Sequence, residues 1–283
     1  MLDKIRAYIT LLRIFIFPWL AVNTLLGNRL AGFDIHAWGL ALLITTLVAF
    51  AGHMINAFRD YELGFDGVNG SVPKPYTSAC SIIPSGIISV RVAKVSTLVF
   101  LLASLLMIVF FAPLRVDTVS LYILGVFCAL TYTDLGKKHS MGELYLFLGH
   151  GFGTSTFAYS LVRPITIEAL ATGTLLGLLA GVIYTVDQWV DAETDFARRV
   201  KNYAYLITKA NMRLSTFFYF AVTAVVTIHL AFVLMGILRA STLKALLLMP
   251  LFQFSGALLD YQFEKGVWVA LTAIWLYPIL MAL

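Results

Sequence analysis

Two short acidic segments, at 56–66 and 187–195, stand out in a chain that is otherwise strongly apolar. Each follows directly on a long hydrophobic stretch, and a carboxylate near hydrocarbon is costly enough to indicate a function. The candidate metal ligands that we single out in these segments are Asn56, Asp60, Asp66, Asp187, Asp191 and Asp195. We take these six residues as the candidate centre of the protein's chemistry.

The spacing in the second segment favours a metal-binding role. Asp187, Asp191 and Asp195 recur every four residues, so a helix would place all three on one face. Like charges at this spacing repel one another, which suggests that a cation lies between them. Magnesium prefers hard oxygen ligands and shares its shell with water and phosphate oxygens. We therefore expect Mg²⁺ between the two segments, bound to the diphosphate of an isoprenyl diphosphate substrate.

The same chemistry needs positive charge and electron-rich walls around the diphosphate. Metal ions would neutralise the charge that develops when an allylic C–O bond breaks and diphosphate leaves. Aromatic residues make up 14% of the chain and offer partners for the resulting carbocation. Basic side chains near the two segments could complete a phosphate clamp. The candidates are Lys137, Lys138, Arg198, Arg199 and Lys201.

Long apolar helices must position these residues. Of the 283 residues, 60% are hydrophobic and only 12% charged, whereas roughly a quarter of a soluble domain is charged. The composition predicts an all-α integral membrane protein with one transmembrane domain over 1–283. Apolar stretches predict a bundle of about nine spanning helices, at 8–27, 37–58, 94–113, 117–134, 142–162, 166–187, 213–237, 243–260 and 266–283. Kinks or close helix contacts are expected at Pro18, Gly151, Gly153 and Pro278.

The basic residues predict the orientation of the bundle. When all 20 Lys and Arg residues are sorted by loop, 14 fall on the side of the N-terminus and 5 on the other, with Arg13 inside the first span. The positive-inside rule then places the N-terminus and both acidic segments in the cytoplasm. The plasma membrane of a prokaryote is the expected location. Functional cytoplasmic loops are expected at about 59–93, 134–141 and 188–212. The expected surroundings are membrane lipid, with no nucleic acid partner.

These residues resemble the UbiA superfamily of intramembrane prenyltransferases. Segment 56–66 is similar to the first signature of that family, NDxxD with further acids, and 84–89 resembles its later SGxIS element. Segment 187–195 resembles the second signature, (N/D)xxxDxETD. The form DYxxGxD at 60–66 and the YT…GE pattern within 132–143 are similar to the menaquinone-pathway (MenA-type) branch.

The resemblance implies a nine-helix bundle around a large central cavity. It also implies Mg²⁺-dependent transfer of a prenyl group to an aromatic or other lipophilic acceptor, and the similarity to the menaquinone-pathway branch implies a role in quinone biosynthesis. The six oxygen-bearing residues named first would bind metal and diphosphate, and Tyr132, Asp134 and Lys138 would cap the pocket. Two positions depart from the pattern: Ala57 stands where the family has Asp, and Ser81 where it has Arg.

Beyond the metal ligands, the predicted site includes catalytic and diphosphate-binding residues. The predicted catalytic residues are Asp60, Asp66, Asp191, Tyr132 and His150. The predicted diphosphate ligands are Asn56, Lys138, Arg198, Arg199 and Lys201. His150 is included because a polar group between two glycines within a span is costly. His53, three residues before Asn56, is open to two interpretations, a proton acceptor or a hydrogen-bonded core histidine. Arg13 and Asn23 are expected to make polar contacts between helices.

Two alternatives to a prenyltransferase remain at this point. An intramembrane terpene cyclase would ionise the same diphosphate and quench the cation internally, so the fold alone does not separate the two enzymes. A secondary transporter would bind coupling ions through carboxylates near the middle of the bilayer. The acidic segments instead lie at helix ends on one side, which favours an enzyme.

Overall fold

The computed structural model describes residues 2–65, 82–189, 192 and 202–283, and every regular element in these ranges is a helix. The α-helices are α1 (Leu2–Leu12), α2 (Phe17–Leu30), α3 (Ile35–Glu62), α4 (Val90–Phe111), α5 (Val116–Thr131), α6 (Gly142–Leu146), α7 (Thr154–Ser160), α8 (Ile167–Gln188), α9 (Tyr203–Lys209), α10 (Leu214–Leu234), α11 (Met249–Leu259) and α12 (Phe263–Ala282). Two 3₁₀ segments are Ile14–Ile16 and Ala240–Leu248, and two π-helical segments are Tyr132–Lys137 and Phe147–Gly153.

The predicted spans correspond to helices of the structure. Within the described residues, seven helices are long and apolar enough to cross a membrane. An eighth span is the pair Asp3–Leu12 and Ile14–Leu30, which is bent by 41°. The helical run of α6, the second π segment and α7 occupies the place of the predicted fifth span. The prediction of an all-α, multi-pass membrane protein is therefore confirmed. The predicted number of about nine spans is consistent with the helices of the structure.

Polar caps fix where the spanning helices begin. The Asp34 side chain accepts hydrogen bonds from the backbone N–H groups of His36 and Ala37, at 2.8 and 3.1 Å, and so begins α3. These two hydrogen bonds lower the pKa of Asp34, and the one from Ala37 has the larger effect. Ser89 and Thr166 cap α4 and α8 in the same way. α3 then runs without a break from this cap to Glu62, so that Asn56 and Asp60 lie near its C-terminal end.

The helix α8 lies at the centre of the bundle. Within its apolar window 67% of the residues are buried, against 22% in α4 and 17% in the span that includes α5. On α4, Phe110 and Phe111 are 71% and 66% exposed, as expected for side chains that face lipid. A Cβ on Gly151 would lie 2.3 Å from the Cα of Gly177 on α8, so the predicted close contact at Gly151 is present.

Candidate active site

A cavity of about 220 Å³ runs between α2, α3, α5, α8 and α12. On α3 its wall steps through Ile44, Val48, Gly52 and Asn56, a rise of about 18 Å at 1.5 Å per residue. Apolar side chains form most of the wall, among them Trp19, Ile44, Leu121, Phe157, Leu271 and Trp275. Polar groups gather towards the ends of α3 and α8. The cavity therefore suits a molecule with a polar head and a hydrocarbon tail.

The first acidic segment supplies two side chains, one helical turn apart, whose oxygens could bind a metal ion. Asp60 is only 3% exposed, and its Oδ2 accepts a hydrogen bond from the ammonium of Lys137 at 2.5 Å. Its Oδ1 is buried and receives no hydrogen bond from the described residues. The Oδ1 of Asn56 accepts from the Thr133 hydroxyl at 3.1 Å. A buried carboxylate oxygen in this state is costly, which fits a carboxylate that binds a cation.

The second acidic segment begins on the wall of the same cavity. Asp187, at the end of α8, lines the cavity together with Asn56, and its Oδ2 accepts from the Gln188 amide at 3.0 Å. The hydroxyls of Tyr184 and Tyr132 are 2.5 Å apart and join α8 to the first π segment. The fold thus brings the described starts of both acidic segments to one cavity, as the sequence predicts.

Ion pairs hold the first π segment against α3. Arg59 donates to both carboxylate oxygens of Asp134, at 2.6 and 3.1 Å, and also to Glu62 at 2.9 Å. Glu62 in turn lies 2.6 Å from Lys94 on α4, and Lys138 lies 3.7 Å from Asp134. Asp134 and Lys137 lie on the same π segment, so the Arg59–Asp134 and Lys137–Asp60 contacts together join this segment to α3.

The structure places the predicted site residues in three groups. Tyr132, His150, Asn56 and Asp187 line the cavity, and Asp60 lies one turn beyond Asn56. Lys138 has a side chain 40% exposed and faces Asp134 instead of the cavity. The remaining predictions lie outside the described residues; these are Asp66, Asp191, Asp195, Arg198, Arg199 and Lys201.

Three other polar residues lie at this site, and two of them, Arg13 and Lys137, were already noted in the sequence. Tyr184 lines the cavity and was not singled out from the sequence, although it lies three residues before Asp187 and hence near the same helix face. Arg13 lines the cavity too, and its charge within a span was the signal that could have identified it. Lys137, one of several basic candidates, is the lysine that contacts Asp60.

The described oxygen donors fit Mg²⁺ in kind. Asn56, Asp60 and Asp187 supply hard amide and carboxylate oxygens, and the Oδ1 of Asp60 is buried with no hydrogen bond from the described residues. The described ranges contain no group of three or more His, Cys, Asp or Glu side chains that could hold a metal ion. A complete ligand set would thus also need substrate oxygens, water or the acids outside those ranges.

Comparisons with known proteins identify the family and agree with the fold. Residues 15–277 match the model of the UbiA prenyltransferase family. A UbiA homolog from Archaeoglobus fulgidus, solved with dimethylallyl diphosphate (DMAPP) and Mg²⁺, aligns over 97% of this chain and 98% of its own, with 15% identity and a TM-score of 0.66. A structure of a digeranylgeranylglyceryl phosphate synthase aligns over 99% of each chain, with 20% identity and a TM-score of 0.62. No curated protein matches the chain.

Proposed function

The chain belongs to the UbiA prenyltransferase family, and we propose that it transfers a prenyl group from an isoprenyl diphosphate to a lipophilic acceptor within the membrane, with Mg²⁺ as cofactor. One observation carries the proposal. A largely apolar cavity ends at Asn56 and Asp187, and the Asp60–Lys137 pair lies one helical turn beyond Asn56, so a diphosphate head and a prenyl tail both find matching surroundings. The A. fulgidus homolog was solved with DMAPP or geranyl diphosphate (GPP) and Mg²⁺, which supports the choice of substrate.

At the polar end of the cavity, the described acidic and basic residues have different proposed roles. Asn56, Asp60 and Asp187 would hold the metal ions, together with the sequence-predicted Asp66, Asp191 and Asp195. Bound Mg²⁺ supplies positive charge that stabilises the leaving diphosphate. The Lys137 ammonium, within 2.5 Å of Asp60, is placed to add a charge-assisted hydrogen bond to a phosphate oxygen.

The apolar part of the cavity would bind the prenyl chain and exclude water. Trp19, Phe157 and Trp275 line it, and the rings of Tyr132 and Tyr184 lie at its polar end. Aromatic faces stabilise a nearby cation, and a dry wall protects it from hydrolysis. Transfer to an acceptor then requires that a second molecule reach the same space. A nucleophilic atom of that molecule would bond to the allylic carbon as the C–O bond to diphosphate breaks, and the acceptor would lose a proton to the released diphosphate or to water.

We base the proposed acceptor and the proposed setting on the sequence. The DYxxGxD form and the segment from Tyr132 to Glu143 support an aromatic quinone precursor as acceptor, as in the menaquinone-pathway branch. The excess of basic residues on the side of the N-terminus supports a cytoplasmic active site at a prokaryotic plasma membrane.

The test is product analysis with protein reconstituted in lipid nanodiscs. Geranylgeranyl diphosphate and Mg²⁺ are supplied with or without a lipid extract that contains acceptors, and diphosphate release and prenylated products are measured. We expect release that depends on Mg²⁺, a prenylated acceptor as product, and loss of both in Asp60→Asn but not in the exposed control Asp3→Asn. A cyclic hydrocarbon formed without acceptor would instead establish a terpene cyclase, and Mg²⁺-independent release would refute the proposed site.

A further inference from the structure

Glu143 is a buried carboxylate near the polar end of the cavity that the proposed metal site does not use. It completes the YT…GE pattern of 132–143 and lies in the first turn of α6, and it is not among the residues that line the cavity. The residue is only 7% exposed, and its Oε2 is buried without a hydrogen bond from the described residues. A buried carboxylate oxygen in this state lowers stability, so the residue calls for a reason other than folding.

The other oxygen of this carboxylate holds the start of α9. Oε1 of Glu143 accepts a hydrogen bond at 3.0 Å from the backbone N–H of Tyr203, the first residue of α9. The first N–H groups of a helix have no partner within the helix, so an acceptor from elsewhere is needed there. Asn202 and Ala204, on either side of Tyr203, are 2% and 0% exposed. The start of α9 is therefore packed against the bundle at Glu143.

The first two residues of α6 also contact the last turns of α8. A Cβ on Gly142 would lie 2.9 Å from the hydroxyl oxygen of Tyr184, a residue of α8 that lines the cavity. A Cβ on Gly181, three residues earlier in α8, would lie 3.8 Å from the backbone oxygen of Glu143. Gly142 and Glu143 thus contact both the end of α8 and the start of α9.

The connection from α8 to α9 is therefore held at both of its ends. It follows Asp187 and Gln188 at the end of α8 and leads to Tyr203. By sequence it carries the predicted metal ligands Asp191 and Asp195, which lie outside the described residues. A chain that is fixed at both ends samples less space than one that is fixed at a single end. Less conformational entropy is then lost when its side chains bind a cation.

We propose that Glu143 is a positioning residue for the Mg²⁺ site. By accepting from the Tyr203 N–H it fixes the α9 end of this connection, and it thereby raises the affinity for a metal-bound diphosphate. The proposal rests on the proposed function, because it takes Asp191 and Asp195 as metal ligands. Glu143 acts here through α9, so its role needs an oxygen acceptor at this position and not a negative charge.

The experiment measures binding without catalysis. The ligand is a thiodiphosphate analogue of geranyl diphosphate, and the Mg²⁺ concentration that gives half of the rise in unfolding temperature is determined for each variant. Glu143→Leu removes the acceptor and should raise this concentration at least about fivefold, as expected when a hydrogen bond to a carboxylate is lost. Glu143→Gln keeps an acceptor oxygen and should stay within about twofold of the wild type.

Asp260 provides a matched control at the start of the next helix. Its Oδ1 accepts from the backbone N–H of Ser215, in the first turn of α10, at 3.2 Å, and Asp260 is not among the residues that line the cavity. Asp260→Leu removes the same kind of contact and should leave the Mg²⁺ dependence unchanged. Amide hydrogen exchange verifies that each contact is lost, because exchange should become faster at the start of α9 in Glu143→Leu and at the start of α10 in Asp260→Leu.

Three results would overturn the proposal. In the first, Glu143→Leu shows faster exchange at α9 but a wild-type Mg²⁺ dependence, so that Glu143 stabilises the fold alone. In the second, Glu143→Gln loses as much affinity as Glu143→Leu, so that the charge matters and not the hydrogen bond. In the third, Asp260→Leu weakens binding equally, so that the effect is not specific to α9. Failure of the proposed function would appear separately, as wild-type protein that the analogue stabilises equally in Mg²⁺ and in EDTA.

Discussion

Replacing Lys137 with glutamine should slow diphosphate release far more than the same replacement of Lys138. The two lysines are adjacent in sequence but face different carboxylates. Lys137 lies 2.5 Å from Asp60, and their side chains are 14% and 5% exposed. Lys138 lies 3.7 Å from Asp134, and their side chains are 40% and 34% exposed. Of these two lysines, Lys137 is therefore the one placed to reach a diphosphate next to Asp60.

The magnitudes follow from this difference in burial. A hydrogen bond to a charged group contributes about 1.5–3 kcal/mol, so losing the one from Lys137 should cost roughly 10- to 150-fold in rate. An exposed ion pair contributes about 0–1 kcal/mol, so Lys138→Gln should cost less than roughly fivefold. Lys137→Arg keeps the charge and should retain more activity than Lys137→Gln.

The assay is diphosphate release from geranylgeranyl diphosphate, with thermal unfolding measured on each variant. Unfolding temperatures decide whether a loss of rate reflects the site or the fold, because Lys137→Gln leaves Asp60 without its cation. If both glutamine variants are folded and Lys138→Gln is the slower one, the geometric reasoning is refuted. The prediction from sequence, in which Lys138 binds the diphosphate, would then hold.

Two other predictions concern the helices that carry the site. A Cβ at Gly27 would lie 2.0 Å from the backbone oxygen of Ser155, so Gly27→Ala should lower the unfolding temperature and cost about 1–3 kcal/mol or more. The control Gly39→Ala meets no atom within 4 Å and should be neutral or stabilising; a similar loss in both would contradict the packing. A double-mutant cycle of Arg59→Gln and Asp134→Asn, read in both unfolding and diphosphate release, should give a coupling of about 0.5–3 kcal/mol. Strictly additive effects would show that this pair does not position Asp60.

Much of the bundle could be predicted because the signals that define a span are strong and local. Long apolar stretches have few alternatives to a membrane helix, and polar residues at their ends mark where they stop. The convergence of Asn56 and Asp187 on one cavity also followed, since both end spans that emerge on the same predicted side. These features depend on hydropathy and chain direction alone.

Helix geometry inside the spans could not be predicted in the same way. A π-helical turn depends on packing against neighbouring helices, and it changes which residue of a run faces inwards. This is why the sequence did not separate Lys137 from Lys138, at the end of the first π segment. The bend in the first span likewise lies at Arg13, whereas Pro18 marked the expected kink; Pro18 is instead accommodated in the first turn of α2.

The central claim is that the carboxylates bind Mg²⁺ ions that hold the diphosphate. It is tested by measuring whether an allylic diphosphate and Mg²⁺ stabilise the protein only when both are present. The ligand is a thiodiphosphate analogue of geranyl diphosphate, whose carbon–sulfur bond does not break to give the allylic cation. It is added with Mg²⁺ or with EDTA, and thermal unfolding is measured for the wild type, Asp60→Asn and Asp187→Asn. We expect a large rise in unfolding temperature only when analogue and Mg²⁺ are both present, and a much smaller rise in either variant. An equal rise in EDTA, or an undiminished rise in both variants, would show that these carboxylates do not hold a metal-bound diphosphate.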